Sequence, residues 1–205
     1  ENWDGKSVYT GNPIRPSILN GDRKKGLALS GLSGNHPILL VIGGSQGAKA
    51  INDTVVALLP QLLKLCDVIH ITGKGKQDTS IRVPGYWSTP FEVDQLADLY
   101  AAADVAVSRA GAGSICELAA YNIPMILVPL RDVAHDHQQR NAEYVQQIGG
   151  CVLLDQSTLP DQLLETVHIM LRDDNRQQMI QRVTDSMNQV DAARHIAEIL
   201  DGCLA

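Results

Sequence analysis

The sequence predicts an α/β fold, a Rossmann-like parallel sheet with flanking helices. Three observations predict it. Short apolar runs alternate with amphipathic stretches, the order of strands feeding helices in a parallel sheet. Two of the runs lead straight into glycine-rich turns, Gly43-Gly44-Ser45-Gln46-Gly47 and Ala110-Gly111-Ala112-Gly113. The 205 residues are 44% hydrophobic and 20% charged, enough apolar material for one substantial core.

Taken in order, residues 1–36 are rich in Gly and Pro and are expected to be linker and loop, with one short strand near Ser7 to Thr10. Residues 37–205 are expected to form the Rossmann-like domain. Pro37 to Ile42 is a continuous apolar strand. Ala48 to Leu65 follows as a helix with Ile51, Val55, Leu58, Leu59 and Leu62 on one side and a candidate break at Pro60. Cys66 to Thr72 is the next strand, closed by Gly73-Lys74-Gly75-Lys76, and Arg82 to Trp87 a short third. A helix is expected over Asp94 to Ala103, a strand over Val105 to Ser108, a turn at Ala110 to Gly113 and a helix over Ser114 to Tyr121. Met125 to Val128 is a buried strand, Asp136 to Ile148 a helix and Cys151 to Leu154 a last strand. Beyond Pro160 the chain is helical, with Leu163, Val167, Met170, Leu171, Ile196 and Leu200 as apolar positions.

The net charge of −6 gives no overall attraction to nucleic acid or to an anionic membrane surface. The four cysteines, Cys66, Cys116, Cys151 and Cys203, form no C-x-x-C pair, so neither a zinc knuckle nor a redox motif is expected. No run approaches the length of a membrane span, and the first residues resemble no signal peptide. A cytoplasmic protein fits these features. Because the chain opens on Glu1 in a polar stretch, it is expected to be a fragment of a longer protein.

In open parallel sheets ligands bind beyond the carboxyl ends of the strands, so the turns there carry the candidate site. The Gly43–Gly47 turn presents backbone N–H groups and a helix N-terminus, a ready receptor for an anion, and Ser45 adds a hydroxyl. Its spacing matches neither the P-loop nor the first-unit dinucleotide fingerprint. The second turn contains Gly111-x-Gly113-x-x-Cys116, with Asp132 about twenty residues on, which superficially resembles that fingerprint. It lies in a late βα unit and lacks the third glycine, so a nicotinamide-dependent dehydrogenase is disfavoured. Ser114-x-x-Glu117 is either a capping box or a carboxylate offered to the two hydroxyls of a ribose. Gln138, Gln139 and Asn141 suit sugar hydroxyls, although Asp136-x-x-Gln139 also matches a helix cap. His135, Asp136 and His137 are adjacent on one loop, a spacing that does not converge on one ion; no metal is expected. Arg15 is either a phosphate-binding fork or a surface arginine.

Several segments together resemble the C-terminal domain of the MurG family of glycosyltransferases, family 28, which have the GT-B fold. They are Gly11-Asn12-Pro13-Ile14-Arg15, Gly43-Gly44-Ser45-Gln46-Gly47-Ala48, Ser108-Arg109-Ala110-Gly111-Ala112, Glu117-Leu118-Ala119-Ala120 and His137-Gln138-Gln139-x-Asn141-Ala142. The resemblance implies one half of a two-domain enzyme that binds UDP-N-acetylglucosamine. The acceptor site, for a lipid-linked muramyl-pentapeptide, would lie on an N-terminal domain absent from this sequence. It implies that Arg15 and Ser45, with Gly44 and Gln46 beside them, meet the diphosphate, and that Ala112, Gly113 and Ser114 adjoin it. Glu117 would hold the ribose, the backbone at Val93 would read uracil, and Gln138, Gln139 and Asn141 would meet the sugar. Gly113 replaces a bulkier residue usual in the family, and Phe91-Glu92-Val93-Asp94-Gln95 departs from the usual wording.

The implied reaction is an inverting displacement that needs no cofactor. No catalytic base is named in this chain, and the chain alone is expected to be inactive. Peripheral association with the cytoplasmic face of the membrane, and roles in cell-wall synthesis, cell shape and division, are implied for the full-length protein. The alternatives are a donor-binding subunit of a two-subunit N-acetylglucosamine transferase, a glycolipid synthase or a UDP-N-acetylglucosamine epimerase.

Overall fold

The computed structural model describes residues 8, 10–44, 46–91, 94–130, 136–187 and 191–204. Its centre is a six-stranded, wholly parallel sheet in the order β3-β2-β1-β4-β5-β6. The strands are β1 (Ile38–Ile42), β2 (Asp67–Ile71), β3 (Tyr86–Thr89), β4 (Val105–Ser108), β5 (Met125–Leu127) and β6 (Cys151–Leu153). Every residue of β1, β2, β4 and β5 is buried, which is why β1 and β5 appear in the sequence as continuous apolar runs, while β2 and β4 also bury Asp67, His70 and Ser108. The order reverses between β1 and β4, paired from Leu39↔Val105 to Ile42↔Ser108. The turns leaving these two strands therefore face one crevice.

Eight helices complete the described fold: α1 (Arg23–Ser30), α2 (Lys49–Leu62), α3 (Leu96–Ala102), α4 (Ala112–Ala120), α5 (His137–Gln147), α6 (Leu159–Met170), α7 (Asp173–Met187) and α8 (Ala192–Leu204). A single 3-10 turn, Pro16–Ile18, precedes them. Side chains on one face of the sheet, among them Leu40, Ile69, Leu99, Tyr100, Leu118 and Met125, form one core. Leu39, Val41, Ile51, Leu62, Val107 and Leu163 belong to the other. Alternate residues of β1 go to opposite cores, as the period of two requires.

The structure corrects several expectations. Residues 23–30 form a helix where loop was expected. Asp22 caps it, its carboxylate accepting from the Lys24 N–H at 2.7 Å, and Arg23 donates to the Ala102 carbonyl and to Asp104. At Gly26 an added Cβ would stand 2.1 Å from the Asp98 carbonyl oxygen, so the missing side chain lets α1 lie directly on α3. Of the expected strand near Ser7 to Thr10, Ser7 and Tyr9 fall outside the described residues, and Val8 and Thr10 carry no strand.

Helix α2 runs through Pro60 rather than breaking there; near the helix end the missing N–H forfeits one bond. The third strand is Tyr86–Thr89, later than Arg82 to Trp87, because it is set by pairing Val68↔Tyr86 through Ile71↔Thr89. Helix α4 starts at Ala112, not Ser114, with Gly111 as its N-cap.

Candidate functional site

The first glycine-rich turn leaves β1. Gly44 takes φ +81°, and its carbonyl accepts from the Gly47 N–H at 2.9 Å, folding the chain back into α2. Gly47 is pressed against the next loop: a Cβ there would meet the Thr72 carbonyl oxygen at 2.0 Å, and one on Gly73 would meet the Gly47 backbone at 2.4 Å. Two glycines are thus required for backbone to lie on backbone. Lys76 closes the contact, its ammonium donating to the carbonyls of Gln46 at 2.7 Å and Gly47 at 3.2 Å.

The second turn leaves β4, the neighbouring strand. With Gly111 as N-cap, Ala112, Gly113 and Ser114 occupy the first turn of α4, whose opening N–H groups have no partner within the helix. Parallel strands lie about 4.8 Å apart. The N-termini of α2 and α4 therefore flank one crevice, and their partial positive charges favour an anion between them.

Glu117 sits one turn into α4 and is not part of a capping box, since Ser114 lies inside the helix. Its carboxylate accepts from the Tyr100 hydroxyl at 2.9 Å and pairs with Arg15 at 3.4 Å. Burial, and next the charge of Glu117, push the Tyr100 hydroxyl well above its ordinary value near 10. Tyr100 is accordingly a permanent donor that fixes one carboxylate oxygen. Arg15 is more than half exposed and Glu117 largely buried, so the pair stands at the edge of the crevice. Beside it a cavity of about 360 Å³ is lined by Asn12, Ala112, Cys116, Asn141 and Tyr144, among others. Burial raises the Cys116 thiol above its usual range, partly offset by a hydrogen bond with Asn12.

The third group lies at the start of α5. Asp136, its N-cap, takes φ 56° and makes no side-chain cap bond, so the cap reading of Asp136 and Gln139 is not what is observed. Gln138 accepts the Leu130 N–H at 3.1 Å, and Gln139 donates to Glu143 at 2.8 Å while its buried Oε1 has no partner among the described residues. Asn141 donates to the Ala110 carbonyl at 3.0 Å, tying α5 to the second turn. Arg109 donates to the Val128 carbonyl at 3.0 Å and to Gln156 at 2.6 Å. It braces the loop after β5 rather than entering the crevice.

The structure thus brings Gly44, Gln46, Ala112, Gly113, Ser114 and Glu117 to one switch point, with Arg15 on Glu117 and Asn141 on the second turn. Ser45 and Val93 lie outside the described residues. Two participants were missed from the sequence. Tyr100 occupies an apolar helix face and carries no motif; Lys76 belongs to a Gly-Lys-Gly-Lys run noted only as a turn.

Residues 38–198 match the model of the glycosyltransferase family 28 C-terminal domain. The UDP-N-acetylglucosamine--N-acetylmuramyl-(pentapeptide) pyrophosphoryl-undecaprenol N-acetylglucosamine transferase of Lachnoclostridium phytofermentans is 40% identical over 199 residues, which are 96% of this chain and 55% of that protein. The protein of the same name from Legionella pneumophila (strain Paris) is 43% identical over 170 residues, 82% of this chain and 47% of that one. The crystal structure of MurG from Acinetobacter baumannii superposes with a TM-score of 0.69 at 26% identity, covering 90% of this chain and 55% of that one. The chain spans about half the length of the curated relatives it matches. By the match over its sheet and most of its helices, the chain belongs to the glycosyltransferase family 28 C-terminal domain family.

Proposed function

We propose that this chain is the donor-binding half of an inverting N-acetylglucosaminyltransferase. It holds UDP-N-acetylglucosamine while a preceding domain presents a lipid-linked muramyl-pentapeptide. The observation that carries the reading is Glu117, held by Tyr100 and Arg15 at the edge of the crevice that the N-termini of α2 and α4 flank. The names of the relatives supply the sugar and the acceptor.

Each feature has a task in such a reaction. The acceptor hydroxyl attacks the anomeric carbon, the bond to the diphosphate breaks, and negative charge grows on the departing UDP. The N-termini of α2 and α4 and the guanidinium of Arg15 are placed to take that charge, with donors already oriented before the reaction begins. Ser45 adds a hydroxyl to the same phosphates. Glu117 accepts from the ribose hydroxyls, and the backbone at Val93 reads the uracil. The partnerless Oε1 of Gln139 supports a role for the start of α5 in receiving sugar hydroxyls, because a buried acceptor without a donor costs about 1–3 kcal/mol. Gln138 and Asn141 flank it. The base that takes the acceptor proton is assigned to the preceding domain, as is attachment to the cytoplasmic face of the membrane. Residues 37–205 carry the nucleotide-sugar domain, and the described part of residues 1–36 packs onto it through Ile14, Ile18 and α1.

The test is calorimetric titration with UDP-N-acetylglucosamine, UDP and NAD, repeated for Glu117→Ala and Ser45→Ala. Binding of both uridine ligands, weakened at least tenfold by Glu117→Ala and unmatched by NAD, is the expected result. Tighter binding of NAD than of UDP would overturn it.

A further inference from the structure

We infer that Lys76 is a positioning residue for the donor diphosphate, acting through the glycine-rich turn rather than by touching the ligand. The inference rests on the donor-site reading above. In a trans peptide the carbonyl and the following N–H point in opposite directions, and the described chain has no cis bond. Lys76 draws the carbonyls of Gln46 and Gly47 toward the loop after β2. The N–H groups of Gly47 and Ala48 must then point the other way. The Gly47 N–H closes the turn on Gly44, and the Ala48 N–H opens the N-terminus of α2.

The loop that carries Lys76 is built to deliver it. The Lys76 N–H returns to the Gly73 carbonyl at 3.2 Å, while Gly73 and Gly75 take φ +92° and +71°. The resulting tight turn lays the lysine back over the chain at residues 46 and 47. Below it, the Thr72 carbonyl accepts from Asn52 of α2 at 2.8 Å, so the loop is fixed to the helix whose N-terminus it helps orient. Lys74, on the same turn, lies 5.8 Å from the centre of the Phe91 ring and makes neither carbonyl contact. It carries equal charge and serves as an internal control.

The experiment compares Lys76→Ala, Lys76→Arg and Lys74→Ala by UDP titration and by amide NMR shifts of the unliganded protein. Lys76→Ala is expected to weaken UDP about five- to tenfold, the scale of a charged hydrogen bond discounted for exposure. It is also expected to shift the Gly47 and Ala48 amides before any ligand is added. Lys76→Arg, which preserves the donors, should stay within about twofold of the parent, as should Lys74→Ala.

Unchanged UDP affinity in Lys76→Ala would overturn the inference. So would an equal loss in Lys74→Ala, which would assign the effect to charge alone. If the unsubstituted protein binds no UDP, the donor-site reading fails, and the amide shifts of the unliganded variants still decide whether Lys76 holds the turn.

Discussion

Acidification should weaken this fold through His70. It lies fully buried on β2, with Nε2 3.1 Å from the side-chain oxygen of Asn52 and Nδ1 3.0 Å from the Tyr86 hydroxyl. Asn52 gives its amide N–H to the Thr72 carbonyl, so its oxygen faces the ring and Nε2 carries the proton. Nδ1 then accepts from Tyr86, and a second ring proton requires that hydroxyl to turn round and accept instead. Asp53, Lys76 and Asp78 share the adjoining cavity.

Burial lowers the pKa of His70 from 6.5 to about 4. Between those values the unfolded chain holds a proton that the folded chain refuses. The stability contributed by the neutral ring is therefore complete above pH 6.5 and lost progressively as pH falls toward 4. That drop in pKa amounts to about 3 kcal/mol, of which about 2 is lost by pH 5. Urea unfolding at pH 7.5 and pH 5 should show the parent losing about 2 kcal/mol more than His70→Gln. An NMR titration of the folded protein should show the His70 ring neutral down to about pH 4. Titration near 6.5 in the folded state would refute the reasoning.

Three further substitutions test the packing around the site. Gly73→Ala drives a Cβ into the backbone of Gly47 and forces a side chain into a left-handed conformation; UDP binding should be lost and the melting temperature lowered, both read on the same sample. Tyr121 accepts from the Gly21 N–H at 2.7 Å and donates to the Ile18 carbonyl at 2.6 Å, so Tyr121→Phe should cost about 1–3 kcal/mol in chemical denaturation. Asp104 joins the Ile38 N–H, Arg23 and Arg176; Asp104→Ala removes the acceptor that all three share, and a loss of about 2–4 kcal/mol is expected by the same assay.

The sheet was legible because strands buried on both faces are mostly apolar, as β1 and β5 are throughout. What stayed hidden is structure made by distant partners. Arg23–Ser30 has a glycine at its centre and no apolar periodicity; it is a helix because Asp22 caps it and because Gly26 and Arg23 fit it to α3. The start of α4 was placed two residues late because Gly111 and Gly113 suggested a turn, whereas Gly111 is the cap and Gly113 has open space around it. Within the site, the glycine turns and Glu117 could be found from local pattern. The partners that orient them, Tyr100 and Lys76, lie 17 and about 30 positions away in sequence, and no spacing rule connects them.

The ion pair of Arg15 and Glu117 makes the crevice a coincidence detector under the proposed function. The two residues pair across 3.4 Å, while the second carboxylate oxygen stays on Tyr100. An inorganic phosphate that draws the guanidinium away leaves the carboxylate with Tyr100 alone; a free nucleoside that takes up the carboxylate gains nothing from the cation. A molecule that carries a diol and an anion in one frame engages both halves at once. The separate binding free energies of donor fragments should therefore sum to less than that of the whole.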